Sequence, residues 1–305
     1  MYPLQVCRDF SNLDRKNYLH CLKKLFLLFF IPLLSLAQTI PSRWDELTAS
    51  DWELALEKSN YTCILPIGIL EKHGPQAPIG SDLIRVRELS ARATKKEYAV
   101  VFPDYFYGQI NEAKHQYGTF SLPSKLAMEM LEATCQEIGR NGFKRIIIVN
   151  GHGGNPQMIR YFIQNQLENK RDYAVYFFDP KTPKDIAEKA AKLRKSDPSF
   201  DMHGGENETS ILLHLRPDLV KLDRSSSESG ANQNRLQLSE DLYTAIWWYA
   251  SFPNHYAGQA EVSSAELGKL IVDSKIESLV NAIKAVKEDS QTLKLQEAFF
   301  NQMKK

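Results

Sequence analysis

Four short runs of β-branched and aromatic residues, separated by stretches of helical periodicity, constrain the fold of this chain more than any other feature. They are "YTCILPIG" (Tyr61 to Gly68), "YAVVFPDY" (Tyr98 to Tyr105), "KRIIIVN" (Lys144 to Asn150) and "YAVYFFD" (Tyr173 to Asp179). Such short apolar runs read as buried strands. Between them, Leu126, Met130, Leu131, Cys135 and Ile138 line one predicted helix face before Gly142. Met158 to Leu167 repeat the pattern after Asn155 and Pro156, which read as a cap and a first-turn proline. "SSAELGKLIVDSKIESLVNAIKAVKE" predicts a long closing helix, with Ser263 and Glu266 at capping-box spacing. Strands alternating with helices give βαβ units and a mostly parallel sheet. No repeat or linker divides residues 38–305, which are therefore expected to form one α/β domain around a sizeable core.

Charge removes one class of function. Lys plus Arg number 38 against 37 for Asp plus Glu, so no net positive field exists to attract a phosphate backbone, and nucleic acid is not an expected partner. The amino-terminal stretch "CLKKLFLLFFIPLLSLAQTIPS" places Lys23 and Lys24 before an apolar run from Leu25 to Ala37, ending in the small residues Ser35-Leu36-Ala37. This is the pattern of a signal peptide covering residues 1–37, cleaved ahead of Gln38, and it predicts export to the periplasm or beyond. The run is broken by Pro32 and falls short of the ~20 residues of a spanning helix, so no stable membrane span is expected after cleavage. Past that segment only Cys63 and Cys135 remain, and two scattered thiols read as small buried hydrophobes.

The chemistry sits in three polar clusters. "LPIGILEKHGPQAPIGSD" carries Glu71, His73 and Asp82 among apolar residues, Gly and Pro. Glu71 and His73 are two apart, so in extended chain they point the same way. "IIIVNGHGGN" runs from a strand through a Gly-rich turn into a helix, which projects His152 from the carboxyl edge of the sheet, where open α/β folds bind ligands. It lacks the Lys-Ser/Thr of a P-loop and the glycine spacing of a dinucleotide fingerprint. "DMHGGENETSILLHLRP" adds Asp201, His203, Glu206 and Glu208. A lone His in a glycine turn is more often a loop hydrogen-bonder than a ligand. Three such loops converging on one sheet edge read instead as a metal centre. Carboxylates and imidazoles without thiolate suit Zn or Mn, and a bridging Asp suits a two-metal hydrolase. His214 and His255 lie in ordinary helical or loop contexts and read as structural.

"EKHGPQAPIGSD", "AKHQYGTFSLP", "NGHGGN" and "HGGENETS" resemble, in order, the signature blocks of the creatininase (creatinine amidohydrolase) family, a likeness running from roughly Trp44 to the carboxy-terminal helix. The resemblance implies a three-layer α/β/α sandwich and two divalent metal ions per subunit, Zn and/or Mn. It also implies hydrolysis of a non-peptide carbon–nitrogen bond in a small-molecule amide, and a homo-oligomer, often a hexamer. By position, Glu71, Asp82 and His152 match the ligands of one ion, and His73 with Asp82 those of the other, Asp82 bridging. Creatinine-cleaving members carry a Glu two residues after the turn histidine, where this chain has Gly154; Glu208 is the natural replacement. This chain also has Gln76-Ala77 after "HGP" where His-Leu is common, and no tryptophan between Trp52 and Trp247. The resemblance thus supports metal chemistry more firmly than creatinine as substrate. His203 is the candidate proton donor to the leaving nitrogen, with Glu206 the second choice. An amide-releasing peptidase and a non-catalytic metal- or ligand-binding protein are the alternative readings.

Overall fold

The computed structural model describes residues 40–239 and 241–303; the expected signal segment, residues 1–37, lies outside them. Four parallel strands, β1 (Thr62–Ile67), β2 (Val100–Val101), β3 (Arg145–Asn150) and β4 (Ala174–Phe178), lie in the order β2-β1-β3-β4. The helices are α1 (Trp52–Lys58), α2 (Ser81–Thr94), α3 (Ser124–Arg140), α4 (Pro156–Asn165), α5 (Lys184–Leu193), α6 (Glu206–Leu215), α7 (Trp247–Ser251), α8 (Ala265–Glu288) and α9 (Thr292–Gln302). None of these is long and apolar enough to cross a membrane.

The three layers follow from the pleat. Alternate residues of a strand face opposite sides of the sheet. Cys63, Leu65 and Ile67 of β1, with Ile146 and Ile148 of β3, pack against Leu131, Cys135 and Ile138 of α3 and Ile159 and Phe162 of α4. Ile64, Ile147 and Val149 face the other way, onto Val86 and Leu89 of α2, Ile211 of α6, and Val272, Leu279 and Ile283 of α8. Covered on both faces, the central strands need apolar side chains at nearly every position, which is why they read as continuous hydrophobic runs. Cys63 and Cys135 are buried free thiols, and burial pushes both of their pKa values up.

Several local expectations shift. The Tyr98–Tyr105 run yields only the two-residue β2. Phe102 N still donates to Ile64 O at 2.8 Å, but the N–H that would answer Phe102 O belongs to Pro66 of β1, which has none, and the chain rejoins β1 at a bridge between Ile67 and Tyr105. In α3 the buried stripe is Ala127, Leu131, Cys135 and Ile138, while Leu126 is 43% exposed. Asn155 does precede Pro156 at the start of α4, yet its side chain makes no cap. Its Oδ1 accepts from Gln109 N and its Nδ2 donates to Asn150, bracing the Gly-rich loop instead. The cap of α8 is Ser264, one residue beyond the expected Ser263, with Oγ accepting from Leu267 N.

β1 and β3 pair from Thr62↔Arg145 to Ile67↔Asn150, so both strands end level. The loops carrying Glu71, His73 and His152 therefore leave the sheet side by side.

Candidate metal centre

Each acidic or imidazole side chain reaches the centre from a strand end or a helix start. Glu71 and His73 lie in the loop after β1, and His152 in the loop after β3. Asp82 and Glu208 occupy the first turns of α2 and α6, where the helix dipoles favour negative charge. His203 comes from the glycine-flanked loop ahead of α6. That loop can approach because Gly204 adopts φ +68°, and a Cβ there would stand 2.7 Å from the His73 carbonyl carbon. Gln76 holds the two loops together, its Nε2 sharing two N–H groups among His73 O, Gly204 O and Thr209 Oγ1 at 2.6–3.1 Å.

The side chains converge closely. His152 Nδ1 stands 2.6 Å from Glu71 Oε1 and 3.2 Å from Asp82 Oδ2. His73 Nε2 stands 3.2 Å from Asp82 Oδ1, 3.7 Å from Glu208 Oε2 and 3.9 Å from Glu71 Oε1. Asp82 thus faces one imidazole with each oxygen. Glu71, His73 and Asp82 offer ligand atoms within 4.8 Å of one another, as do His73, His203 and Glu208. Glu71, His73, Asp82 and His152 are at most 5% exposed, and Glu208 keeps a partly exposed side chain.

Backbone carbonyls fix which ring nitrogens face inward. A carbonyl only accepts, so the ring atom beside it must carry hydrogen. His152 Nε2 donates to Gln109 O at 2.9 Å, and His73 Nδ1 to Glu71 O at 3.3 Å. In the neutral rings this leaves His152 Nδ1 and His73 Nε2 as lone pairs aimed at the carboxylates. Anchoring the far nitrogen on a carbonyl is how metal-ligating histidines are oriented. His203 Nε2 likewise donates to Lys72 O at 2.7 Å, leaving Nδ1 on the side of Glu208, 3.7 Å from Oε2.

The centre is short of positive charge. Glu71, Asp82 and Glu208 face one guanidinium, Arg85, whose Nη1 donates to Glu208 Oε1 and Nη2 to Asp82 Oδ1 at 3.1 and 3.2 Å. Glu71 Oε1 and Asp82 Oδ2 are buried without a hydrogen-bond partner although His152 is close to both. Proximity without alignment is the arrangement that a shared cation resolves. Against the cost of burial, Asp82, Glu208 and Glu71 hold the His73 imidazole up to about 9. His152 is raised well above its usual value by Glu71 and Asp82, again against burial. Despite burial, His73, Arg85 and His203 hold Glu208 down to about 2, and His152 and His203 keep Glu71 well below the carboxylate range. Burial, aided by His73 and His255, lowers His203. Two buried carboxylates, the half-buried Glu208, two lone-pair imidazoles and two unpartnered oxygens fit divalent cations.

Two sequence expectations are revised by placement. Glu206 does not join the centre: its carboxylate accepts from Lys195 N, Ser196 N and Ser196 Oγ at 2.6–3.2 Å and clamps that turn onto the start of α6. His255, read from sequence as structural, reaches the centre directly, with Nε2 2.6 Å from Glu71 Oε2. Gly154 is no open position either, since a Cβ there would lie 2.5 Å from both His152 Nε2 and Gln109 Oε1. An aromatic wall is present from an unexpected quarter: Trp248 packs edge-on to His203 with ring centroids 5.8 Å apart.

Layered helices on both faces of a parallel sheet, with a buried anionic and imidazole cluster at its carboxyl edge, define an α/β/α protein of hydrolase type. The chain belongs to the creatininase family: the family's sequence model, described as creatinine amidohydrolase, matches residues 45–283. It is a hydrolase acting on carbon–nitrogen bonds. Creatinine amidohydrolase of Pseudomonas putida is 27% identical over 251 residues, 78% of this chain and 95% of that protein. A mycofactocin precursor peptide peptidase of Mycolicibacterium smegmatis is 32% identical over 170 residues, 52% of this chain, and the match spans 60% of that relative's length. A solved manganese form of creatininase superposes with a TM-score of 0.67 at 23% identity, covering 82% of this chain and all of the other.

Proposed function

We propose that this chain is a two-metal amidohydrolase that cleaves a non-peptide carbon–nitrogen bond in a small cyclic amide, formamide or related molecule. The observation that carries this reading is the convergence of Glu71, His73, Asp82, His152 and Glu208 around the unpartnered Glu71 Oε1 and Asp82 Oδ2. Glu71, Asp82 and His152 would hold one ion, and His73, Asp82 and Glu208 the other, with Zn and Mn both suited to the donor set. Bound there, divalent ions supply Lewis acidity, which lowers the pKa of water toward ~7 and polarises a carbonyl.

The chain's own residues handle orientation and protons. Gln109 O and Glu71 O keep the His152 and His73 lone pairs inward, and Arg85 holds Glu208 beside Asp82. His203 keeps its Nε2 proton on Lys72 O and offers Nδ1 toward Glu208. As proton carrier it takes the proton released when water adds to the amide carbon and returns it from Nδ1 to the departing nitrogen. One water is consumed and the carbon–nitrogen bond breaks, which gives a carboxylic acid and an amine, both on one ring-opened molecule when the amide is cyclic. Trp248, half-buried, packs edge-on against the His203 ring and flanks that exchange.

The test is an activity screen of Zn- and Mn-loaded protein over cyclic amides, formamides and short peptides. Turnover of a small amide, abolished by chelation and restored by metal, supports the reading; turnover of peptides alone would favour the peptidase reading that the Mycolicibacterium smegmatis relative suggests. Inactivity of a metal-replete, folded protein on all three classes contradicts both. Export with cleavage ahead of Gln38 belongs to the same proposal, and amino-terminal sequencing of protein from the native host tests it: Gln38 first supports export, an intact Met1 in the cytosol contradicts it. A homo-oligomer, as the resemblance implies, is checked by sedimentation.

A further inference from the structure

We propose that His255 and Trp248 form a positioning relay that holds Glu71 in its metal-binding orientation, an inference that rests on the metal-centre reading above. Trp248 Nε1–H can only donate, and it lies 2.8 Å from His255 Nδ1. That nitrogen must therefore be the acceptor, which puts the hydrogen of the neutral ring on Nε2. Nε2 stands 2.6 Å from Glu71 Oε2 and donates to it. A ring committed in this way has no lone pair to give a metal, although Glu71, His203 and His255 lie close enough together to look like a ligand set. The indole thus assigns His255 as a donor behind Glu71, and leaves Glu71 Oε1, which has no hydrogen-bond partner, as the oxygen free for a cation.

The backbone around the relay is built to hold it. His255 is 2% exposed and adopts φ +54°, the left-handed region that a non-glycine residue rarely enters. Three contacts fix that turn. Its own N–H donates to Phe252 O at 3.0 Å, and Ala257, two residues on, exchanges backbone hydrogen bonds with His203 at 2.9 Å. From the opposite side, His115 Nε2 and Gln116 Nε2 both donate to Pro253 O, at 2.7 and 3.0 Å. Trp248 is seated on Phe252 with ring centroids 4.9 Å apart, which packs α7 against the turn. Glu71 is thereby tied to α7 through two hydrogen bonds in series, and the relay acts on the reaction only through that carboxylate.

The test titrates wild type, His255→Ala, His255→Gln and Trp248→Phe with cobalt(II), following the visible spectrum and using chelator competition for affinity. Circular dichroism confirms that each variant is folded. His255→Ala should weaken the tighter cobalt site by ~10–100-fold, the range for loss of an outer-sphere partner, while the band pattern stays that of wild type because no ligand is lost. His255→Gln, whose amide N–H can donate to Glu71, should recover most of that loss. Trp248→Phe keeps the packing on Phe252 but frees the ring to change tautomer, and should lie between. Histidine-labelled long-range 1H–15N spectra of the metal-free protein should show His255 as the Nε2–H tautomer in wild type and a mixture in Trp248→Phe. Wild-type cobalt affinity in folded His255→Ala would overturn the relay, and a changed band pattern would make His255 a ligand instead. Wild-type protein that takes up no cobalt would overturn the metal centre itself, and the relay with it.

Discussion

The two ends of the β1–β3 pair carry similar charged groups and treat them oppositely. At the amino end, Arg145 donates to Asn60 O and Asp289 O at 3.0 and 2.9 Å. Lys287 donates to Lys58 O and Tyr98 O and pairs with Glu97, while Asn60 Nδ2 donates back to Lys287 O. The Asp289 carboxylate accepts from Tyr176 Oη, Gln291 N and Thr292 N at 2.7–3.1 Å. Only Arg145 Nε among these groups lacks a partner. At the carboxyl end three carboxylates share one guanidinium, and two carboxylate oxygens are left over. The amino end, apart from one guanidinium nitrogen, is satisfied by its own side chains and carbonyls; the carboxyl end is completed by protons on His73 and His152 or by added cations. That difference is what separates a structural polar cluster from one that binds.

Removing a carboxylate at the carboxyl end should have the largest effect. Asp82→Ala takes away both oxygens that the two imidazoles face. Turnover of an established amide substrate should fall by ~10³ or more, because several kcal/mol of Lewis acidity are lost at ~1.4 kcal/mol per decade. Steady-state kinetics with metal analysis of the same sample measures it. His203→Ala should follow, with turnover down by ~10² at unchanged metal content, as expected for loss of a proton carrier. Near-normal turnover in a metal-replete variant would remove His203 from the mechanism.

Metal-free protein should respond to pH with a defined sign. The pKa of His73 is raised from 6.5 to about 9, so the stability it contributes is fully present below its unfolded value and is lost as pH rises through about 9. Its partner Glu208, lowered from 4.5 to about 2, contributes stability that is present above its unfolded value and lost as pH falls through about 2. The two shifts share the His73–Glu208 attraction, but Asp82 is the larger cause of the rise at His73. Denaturation of the metal-free protein should therefore show a stability plateau between the two unfolded values and a loss on the order of 2 kcal/mol by alkaline pH. Loading with Zn should erase the alkaline loss, since the ion displaces those protons.

The smallest effect belongs to the amino end. Arg145→Met removes hydrogen bonds from a charged donor to two carbonyls and should cost about 1–2 kcal/mol in urea denaturation, with metal content and turnover unaltered. A change in metal content there would break the contrast between the two ends.

The sequence made some of this legible for physical reasons. β1 and β3 are buried on both faces, so their apolar runs could hardly be misread, whereas the Tyr98–Tyr105 run pairs over only two residues because Pro66 of the partner strand has no N–H to answer it. Glu71, His73, Asp82, His152, His203 and Glu208 stood out because ligand-type side chains in Gly- and Pro-rich turns have no helical face on which to hide, and the structure does bring these six together. The sequence puts Glu208 among the ligands and Glu206 second among the proton donors, but does not show that the two carboxylates point apart. Two positions on a helix differ by ~200° in direction, so one carboxylate turns to the centre and the other to Lys195 and Ser196. His255 was invisible because its neighbours, "FPNHYAG", hold no second ligand-type residue; the signal was a tryptophan seven residues earlier and a turn that forces φ +54°.

Elemental analysis of the purified protein after dialysis against Zn or Mn tests the central claim most directly. About two ions per subunit in the wild type, and loss of both in folded Asp82→Ala, is the result that the carboxyl-end geometry predicts. A well-folded wild type carrying neither ion, with Asp82→Ala indistinguishable from it, would contradict the account.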